Sequence, residues 1–352
     1  MDNPGIVPGT AGTPSTSGVA EEIRQVIIKD MNAAPVKGML YNRKIGVSVS
    51  DNEELGALGY SGVHLRDMTI EIVRQLLISG AVPVYGGDLR KEGYTELFSD
   101  LSHQYRSIDE PRKNHFINYF AFPISTRLTE EQELDFQRNR TQIIPVPPPA
   151  DLNIQSNDYI DPDTIEHKYI WARSLTAMRE EMIAGSDARV AIGGKVNNYL
   201  GKMPGIIEEA LIAVRKKKPL YLVGAMGGGA RQVIIALKGS PFDFSGDEYH
   251  TGKAYTDFRD FFNARETGGA GTGRETEGAG SARAADGAGT GGEADSIDFG
   301  KIAEVFSGAG VEGLSDINGL SVEENERLFV TPHVSEIIFL IFTGLSRTIG
   351  KR

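Results

Sequence analysis

From Arg43 onward, short apolar runs alternate with longer stretches in which apolar side chains recur every three or four positions. The first pattern predicts strands and the second helices. Residues 45–50 read as a strand ending in polar side chains, and 51–62 as a loop. Residues 64–79 read as a helix with Leu65, Met68, Ile72, Leu76 and Leu77 on one face and Gly80 closing its C-terminal end. Residues 82–85 form the next strand, cut off by Gly86, Gly87 and Asp88. A helix over 95–105 and a strand over 117–121 follow. Residues 130–138 suit a short polar helix. Residues 143–146 suit an edge strand, because an edge tolerates Pro145. A helix over 171–184 leads into a strand at 188–192 ending at Gly193 and Gly194. Residues 204–215 are helical with Pro204 in the first turn, 220–223 are a strand ending at Gly224, and Gly227–Gly228–Gly229 open a helix over 230–238. Two more helices are expected at 299–306 and 334–345. No internal repeat is present. Strands alternating with helices predict an α/β, Rossmann-like fold: a mostly parallel sheet with helices on both faces.

Composition adds the domain plan. Of the 42 glycines, ten fall between Gly268 and Gly292, among Ala, Thr and Glu and without a large apolar side chain. Such a stretch cannot bury enough surface to offset its ordering entropy. Residues 264–296 are therefore expected to be a disordered insert and residues 1–19, rich in Pro, Ser, Thr and Gly, a disordered tail. Residues 20–260 would form the α/β domain, with 297–352 adding helices that pack on it.

The 352 residues include no cysteine, which excludes a disulfide framework, a thiolate metal site and a cysteine nucleophile. The six histidines show no metal-ligand spacing, so neither a metal nor a cofactor is expected. A net charge of −11 argues against a general nucleic-acid partner. The longest apolar run, near 337–342, is far short of the roughly 20 residues that span a bilayer. Together with the lack of an N-terminal apolar leader, this leads to the expectation of a cytoplasmic protein without a membrane partner.

Ligands of such sheets bind at the carboxyl ends of the strands, and here those ends carry unusual loops: Ser48 and Ser50, Gly86-Gly87-Asp88 with Arg90 beyond, Gly193-Gly194-Lys195, and Gly224 with Gly227, Gly228 and Gly229. Glycine lets backbone N–H groups approach an anion, and a following helix N-terminus adds a favourable dipole. Tight strand-to-helix turns need glycine in any case. The spacing is neither the Gly-x-Gly-x-x-Gly fingerprint nor a Walker A sequence. Arg173 and Arg179, six apart on one helix, are either solvated or paired with a phosphate. Glu208 and Glu209 suit a helix first turn through the macrodipole; alternatively one of them faces a ribose hydroxyl or acts as an acid/base group. Together these loops point to a phosphate-bearing ligand.

Residues 43–239 resemble the SLOG superfamily, the Rossmann-like domains typified by the LOG proteins and shared with DprA and TRPM sensor modules. Val84-Tyr85-Gly86-Gly87 is similar to a LOG strand end. Met178-Arg179-Glu180-Glu181-Met182 with Ser186-Asp187-Ala188 is similar to a LOG helix and the strand after it. Gly193-Gly194, then Pro204-Gly205-Ile206-Ile207-Glu208-Glu209, is similar to the LOG glycine–glutamate motif with residues 195–203 inserted. LOG enzymes cleave the N-glycosidic bond of nucleoside monophosphates with an arginine and a glutamate of these motifs, which would make Arg179, Glu208 and Glu209 the catalytic candidates. Other members bind nucleotides or NAD-derived signals, some as sensors in prokaryotic defence. Asp88 replaces a LOG glycine, Pro204-Gly205 stands where LOG has Gly-Thr, and Arg179 aligns with the LOG lysine rather than its arginine. These departures bring the chain closer to the sensor type.

The resemblance thus implies a sensor for a nucleotide or NAD-derived, ADP-ribose-like small molecule. Phosphate would be held by Gly86, Gly87, Gly227 to Gly229 and Arg173 or Arg179, with Asp88 and Glu209 on ribose hydroxyls. Ser48, Ser50, Arg90, Gly193, Gly194, Lys195, Gly205 and Gly224 complete the candidate pocket. It also implies a homo-oligomer and an effector, such as a TIR-type protein, on another chain. The alternatives are a nucleotide N-glycosidase, a LOG-like phosphoribohydrolase, and an oligomerising scaffold with a vestigial pocket.

Overall fold

A computed structural model of the protein describes residues 38–87, 89–105, 114–154, 158–268 and 296–350. Six strands, β1 (Lys44–Ser50), β2 (Val82–Gly86), β3 (Phe116–Ala121), β4 (Thr141–Val146), β5 (Ala188–Gly193) and β6 (Leu220–Val223), form one sheet in the order β4-β3-β2-β1-β5-β6. Every neighbouring pair is parallel. The chain builds outward from β1 to β4 along one edge, then returns through helix α4 (Ile165–Ala184) to lay β5 beside β1. The order reverses at the β1/β5 boundary, the switch point where open α/β sheets leave a crevice.

The other helices are α1 (Gly62–Ile78), α2 (Tyr94–Gln104), α3 (Glu130–Arg138), α5 (Gly205–Arg215), α6 (Gly228–Leu237), α7 (Glu248–Thr251), α8 (Lys253–Gly268), α9 (Phe299–Asn318), α10 (Val322–Val330) and α11 (Val334–Thr348). They cover both faces, so β3, β5 and β6 are buried along their whole length, as two-sided coverage requires. Successive side chains enter opposite cores: Val190 and Ile192 pack in the cluster containing α1 and α11, whereas Ala191 packs with α4, α5 and α6. Strand β1 departs from this symmetry. Ile45, Val47 and Val49 enter the first core, but on its other face, beyond the exposed Lys44 at the strand start, come only Gly46, Ser48 and Ser50. That face is left for polar chemistry.

Pro145 lies on the edge strand β4, in register with Phe120, where its missing N–H costs little. The face of α1 is the expected one, and Gly80 follows it with φ +85, its N–H donating to Leu77 O at 3.0 Å. The C-terminal region differs from expectation. Helix α9 runs past 306 to Asn318, broken at Gly310 (φ 63), and α10 follows. Gly308, Gly310 and Gly313 had diluted the apolar period there. Residues 264–268, expected in the insert, are the last residues of α8, whose period is carried by Tyr255, Phe258 and Phe262. The rest of the expected insert up to 295, and the expected tail 1–19, lie outside the described residues. Among the described residues no helix is long and apolar enough to cross a membrane.

The second sheet edge is closed by a side chain. Asn318, fully buried at the end of α9, donates from Nδ2 to Leu220 O on β6 at 3.0 Å, and its own carbonyl accepts from Tyr221 Oη at 2.8 Å. An unpaired edge carbonyl is thereby satisfied. Asn318→Ala is expected to cost about 1–3 kcal/mol of stability, the penalty for orphaning buried polar groups, read as a lower urea midpoint.

Next to α8, His250 is buried against Phe244, ring centroids 4.7 Å apart, with its Nε2 3.1 Å from Tyr199 Oη. Burial pulls its pKa from 6.5 down to about 4, against the attraction of Asp247. The folded state therefore favours the neutral ring, while the unfolded chain takes a proton near 6.5. The stability this group contributes is complete above about pH 6.5 and is lost as pH falls toward 4. His250→Phe is expected to lose less stability than the parent between pH 7 and 5 in paired urea melts. Equal losses in the two proteins would contradict this.

Candidate functional site

The polar face of β1 meets an arginine. Arg189 on β5 lies in register beside Gly46, and a Cβ at position 46 would stand 2.7 Å from the Arg189 Cζ. Only glycine leaves room for that guanidinium. Arg189 is 1% exposed. Its Nη1 donates to Ser48 Oγ at 2.7 Å and to Glu209 Oε2 at 2.5 Å, and Ser48 Oγ donates to the same oxygen at 2.5 Å. Burial pulls the Arg189 pKa down, opposed by Glu209 and reinforced by Arg179.

The charges then alternate away from the sheet. Glu209 Oε1 lies 3.7 Å from Arg179 Nε, and Arg179 Nη1 pairs with Glu208 Oε2. Glu208 Oε1 accepts from Thr176 Oγ1 at 2.5 Å and lies 4.0 Å from Lys202 Nζ. All five charged residues are buried. Arg179 comes from α4, and the two carboxylates come from the start of α5. Adjacent acids on a helix diverge by about 100°, which sends Glu209 toward the sheet and Glu208 toward α4. Gly201 and Gly205 flank the arginine: a Cβ at either would stand 2.9 or 2.7 Å from its terminal nitrogens. The arginine is thus fixed before any ligand arrives.

Above this chain lies a cavity of about 750 Å³ at the strand C-termini. Seven of the sequence candidates line it: Ser50, Gly86, Arg90, Arg179, Lys195, Gly205 and Glu209. The lining also includes residues that sequence reasoning missed. Tyr85 closes β2, Trp171 comes from α4, and Arg127, Gln132 and Tyr159 come from the segments after β3 and β4. Trp171 and Tyr159 meet edge to face at 6.0 Å, and the Arg127 guanidinium covers the Tyr159 ring at 3.3 Å. Four cationic side chains, Arg90, Arg127, Arg179 and Lys195, face one carboxylate, Glu209. Helix α5 begins at Gly205 on this wall, so the positive end of its dipole adds to the field.

The remaining candidates do not line the cavity. Ser48 and Glu208 lie behind it in the buried chain. Arg173 pairs with Glu266 at 2.8 Å and Asp151 at 3.0 Å. Gly87 packs on β3, where a Cβ would stand 2.7 Å from Asn118 Oδ1. Gly193, Gly194 and Gly227 to Gly229 join three loops: Gly194 N–H donates to Ser50 O and Gly229 N–H to Gly194 O, each at 2.8 Å. Gly193, Gly194, Gly227 and Gly228 all have positive φ. A Cβ on Gly224 would stand 2.6 Å from Ile234 Cδ1. Asp88 lies outside the described residues. Among the described residues no group of three or more His, Cys, Asp or Glu could hold a metal ion.

Sequence reasoning also missed Arg189; the signal that could have found it is an arginine at the second position of an otherwise apolar strand, two places from Ala191 on the same face. A family model described as SLOG cluster2 matches residues 39–328. No curated protein and no solved structure matches the chain.

Removing one partner of a buried ion pair leaves the other uncompensated. Arg189→Met is expected to cost about 3–5 kcal/mol of stability. The double variant with Glu209→Gln is expected to recover part of that loss, because the stranded charge goes with it. Additive losses in urea melts would show that the two side chains are not coupled.

Proposed function

Because the chain belongs to the SLOG cluster2 family of nucleotide-related Rossmann-like domains, we propose that its strand-end cavity binds a nucleotide or an NAD-derived, ADP-ribose-like ligand and serves as a sensor of it. One observation carries the reading. The cavity is lined by four cations and one carboxylate; Arg179 is paired with Glu208 behind the wall, which leaves Arg90, Arg127 and Lys195 as the cations of the rim in a chain whose net charge is −11. Such a local surplus suits a polyanionic ligand. Arg90, Arg127 and Lys195 are exposed at its rim, where they meet phosphate oxygens, assisted by the start of α5. Glu209 Oε1 and Gln132 accept ribose hydroxyls. The aromatic wall of Tyr159 and Trp171 takes the base. Release of the signal into a defence or signalling pathway would then pass through an effector on another chain, as in sensor-type relatives.

Turnover is the second reading, favoured by the presence of Arg179 and Glu209 on one wall. A nucleotide N-glycosidase needs a carboxylate near the developing oxocarbenium charge. Glu208 is ill placed for this, being 1% exposed and already engaged by Arg179 and Thr176. Glu209 is the residue that would act.

Calorimetric titration with AMP, ADP-ribose and NAD tests binding, and chromatography of the same mixtures tests base release. At least one ligand is expected to bind, more weakly as salt rises. Lys195→Ala is expected to weaken it about tenfold, the effect of losing one charge-assisted contact. No binding by any of the three would overturn the proposal. Base release that disappears in Glu209→Gln would replace the sensor with the enzyme.

A further inference from the structure

We infer that the ligand carries two nucleobases joined through phosphates, and that the second base occupies a separate aromatic cavity on the far side of segment 195–203. This rests on the strand-end reading above and extends it. The second cavity has a volume of about 760 Å³, close to the first, and Tyr199 and Leu200 line both. Segment 195–203 is the stretch that interrupts the glycine–glutamate motif in the sequence. Its ends are fixed. Lys195 N–H donates to Ser50 Oγ at 3.2 Å, and Val196, Lys202 and Met203 are buried. Between them the chain rises through Asn198, in the left-handed region at φ 52, to Leu200, which is 44% exposed. The insertion is thus a divider with two faces.

The two sides differ in chemistry. The strand-end side is cationic. On the other side, Lys168 and Lys253 are matched by Asp247 and Glu248, so no net charge favours a phosphate. Aromatic surface dominates there instead. Tyr249 stands 5.5 Å from both Tyr199 and Tyr255, ring centroid to centroid. Asn197 and Asn198, each with a side-chain amide, also line this cavity. An aromatic platform with an amide acceptor is the chemistry that recognises a nucleobase: stacking on its face and a hydrogen bond from its exocyclic amine. A mononucleotide bound in the first cavity would leave this one without an occupant of matching chemistry. Two nucleosides linked by phosphates match both, with the phosphates beside Lys195.

The test compares ligands that differ only in the second base. Calorimetry is run on the full chain with ADP-ribose, NAD and diadenosine diphosphate. At least one two-base ligand is expected to bind tenfold or more tightly than ADP-ribose. Tyr249→Leu and Ala254→Trp are both expected to remove that advantage while leaving ADP-ribose affinity within twofold. Ala254 is exposed and lines only the second cavity, so its replacement fills the space without disturbing the core. ADP-ribose binding with no advantage for either two-base ligand would overturn this inference and leave the strand-end reading standing. An equal loss for all ligands in both variants would also overturn it. No binding by any ligand would overturn both.

Discussion

The site depends on a line of buried charges that starts on the sheet. Arg189 sits among apolar strand residues at a position where a charged group is costly, since each ion taken out of water carries a penalty of several kcal/mol. Glu209 and Ser48 offset that penalty by direct contact, and Glu209 is in turn flanked by Arg179. Each member requires the next. Without Gly46 the guanidinium has no room, and without the helix start at Gly205 the two carboxylates do not reach opposite neighbours. Hydrogen bonding remains incomplete: Nε and Nη2 of Arg189 and Nε of Arg179 have no hydrogen-bond partner. Replacing the whole network at once by well-packed hydrophobic residues of similar volume would therefore cost little or even stabilise the fold, whereas removing one member alone strands its partner. Its placement beneath the cavity accounts for the network better than stability does. It locks the arginine and the glutamate of one wall in a single arrangement.

Much of the fold was legible because the chain follows local rules closely. Strands β1 to β6 and helices α1 to α6 fall within a few residues of the expected positions, except that α4 begins six residues earlier, at Ile165, and Pro145 marked the edge. Four helices were not foreseen in full: α7 is a single turn, Glu248–Thr251, and the other three each have a physical reason. Helix α8 is polar except for its aromatic stripe. Helix α9 is interrupted by Gly310, whose φ of 63 breaks the period. Helix α10 is short, with a first turn marked by Ser321 and Glu324 as a capping box rather than by apolar spacing. None of the three is fixed by its own sequence as firmly as by what it packs against.

The candidate site was legible in part, and the division follows the two uses of glycine. Gly86 and Gly205 lie on the cavity wall. Gly193, Gly194, Gly228 and Gly229 instead let the loops after β1, β5 and β6 touch backbone to backbone. Both uses produce the same sequence signal at the same kind of place. Distinguishing them requires knowing which strands are neighbours, and the order β2-β1-β5-β6 is not written in any local pattern. The same limit hid Tyr159, Trp171 and Arg127. Tyr159 and Trp171 reach the cavity from the connection after β4 that returns to the switch point, and Arg127 from the connection after β3, so only the topology brings them in. Arg173 shows the converse. It shares a helix with Arg179, but six residues of helical rotation send it to Glu266 on α8.

The charges of the site fall into two groups with different work to do. In the buried line, cations and carboxylates alternate and largely neutralise one another, so it offers little attraction to an incoming anion. Arg90, Arg127 and Lys195 at the rim are long, exposed side chains whose attraction for an anion responds to salt. Under the proposed reading a phosphate would meet the rim cations, and the sugar would meet a carboxylate that cannot move. This division favours recognition over turnover. A glycosidic transition state needs its strongest field at the fixed end of the pocket, where this protein has already paired its charges.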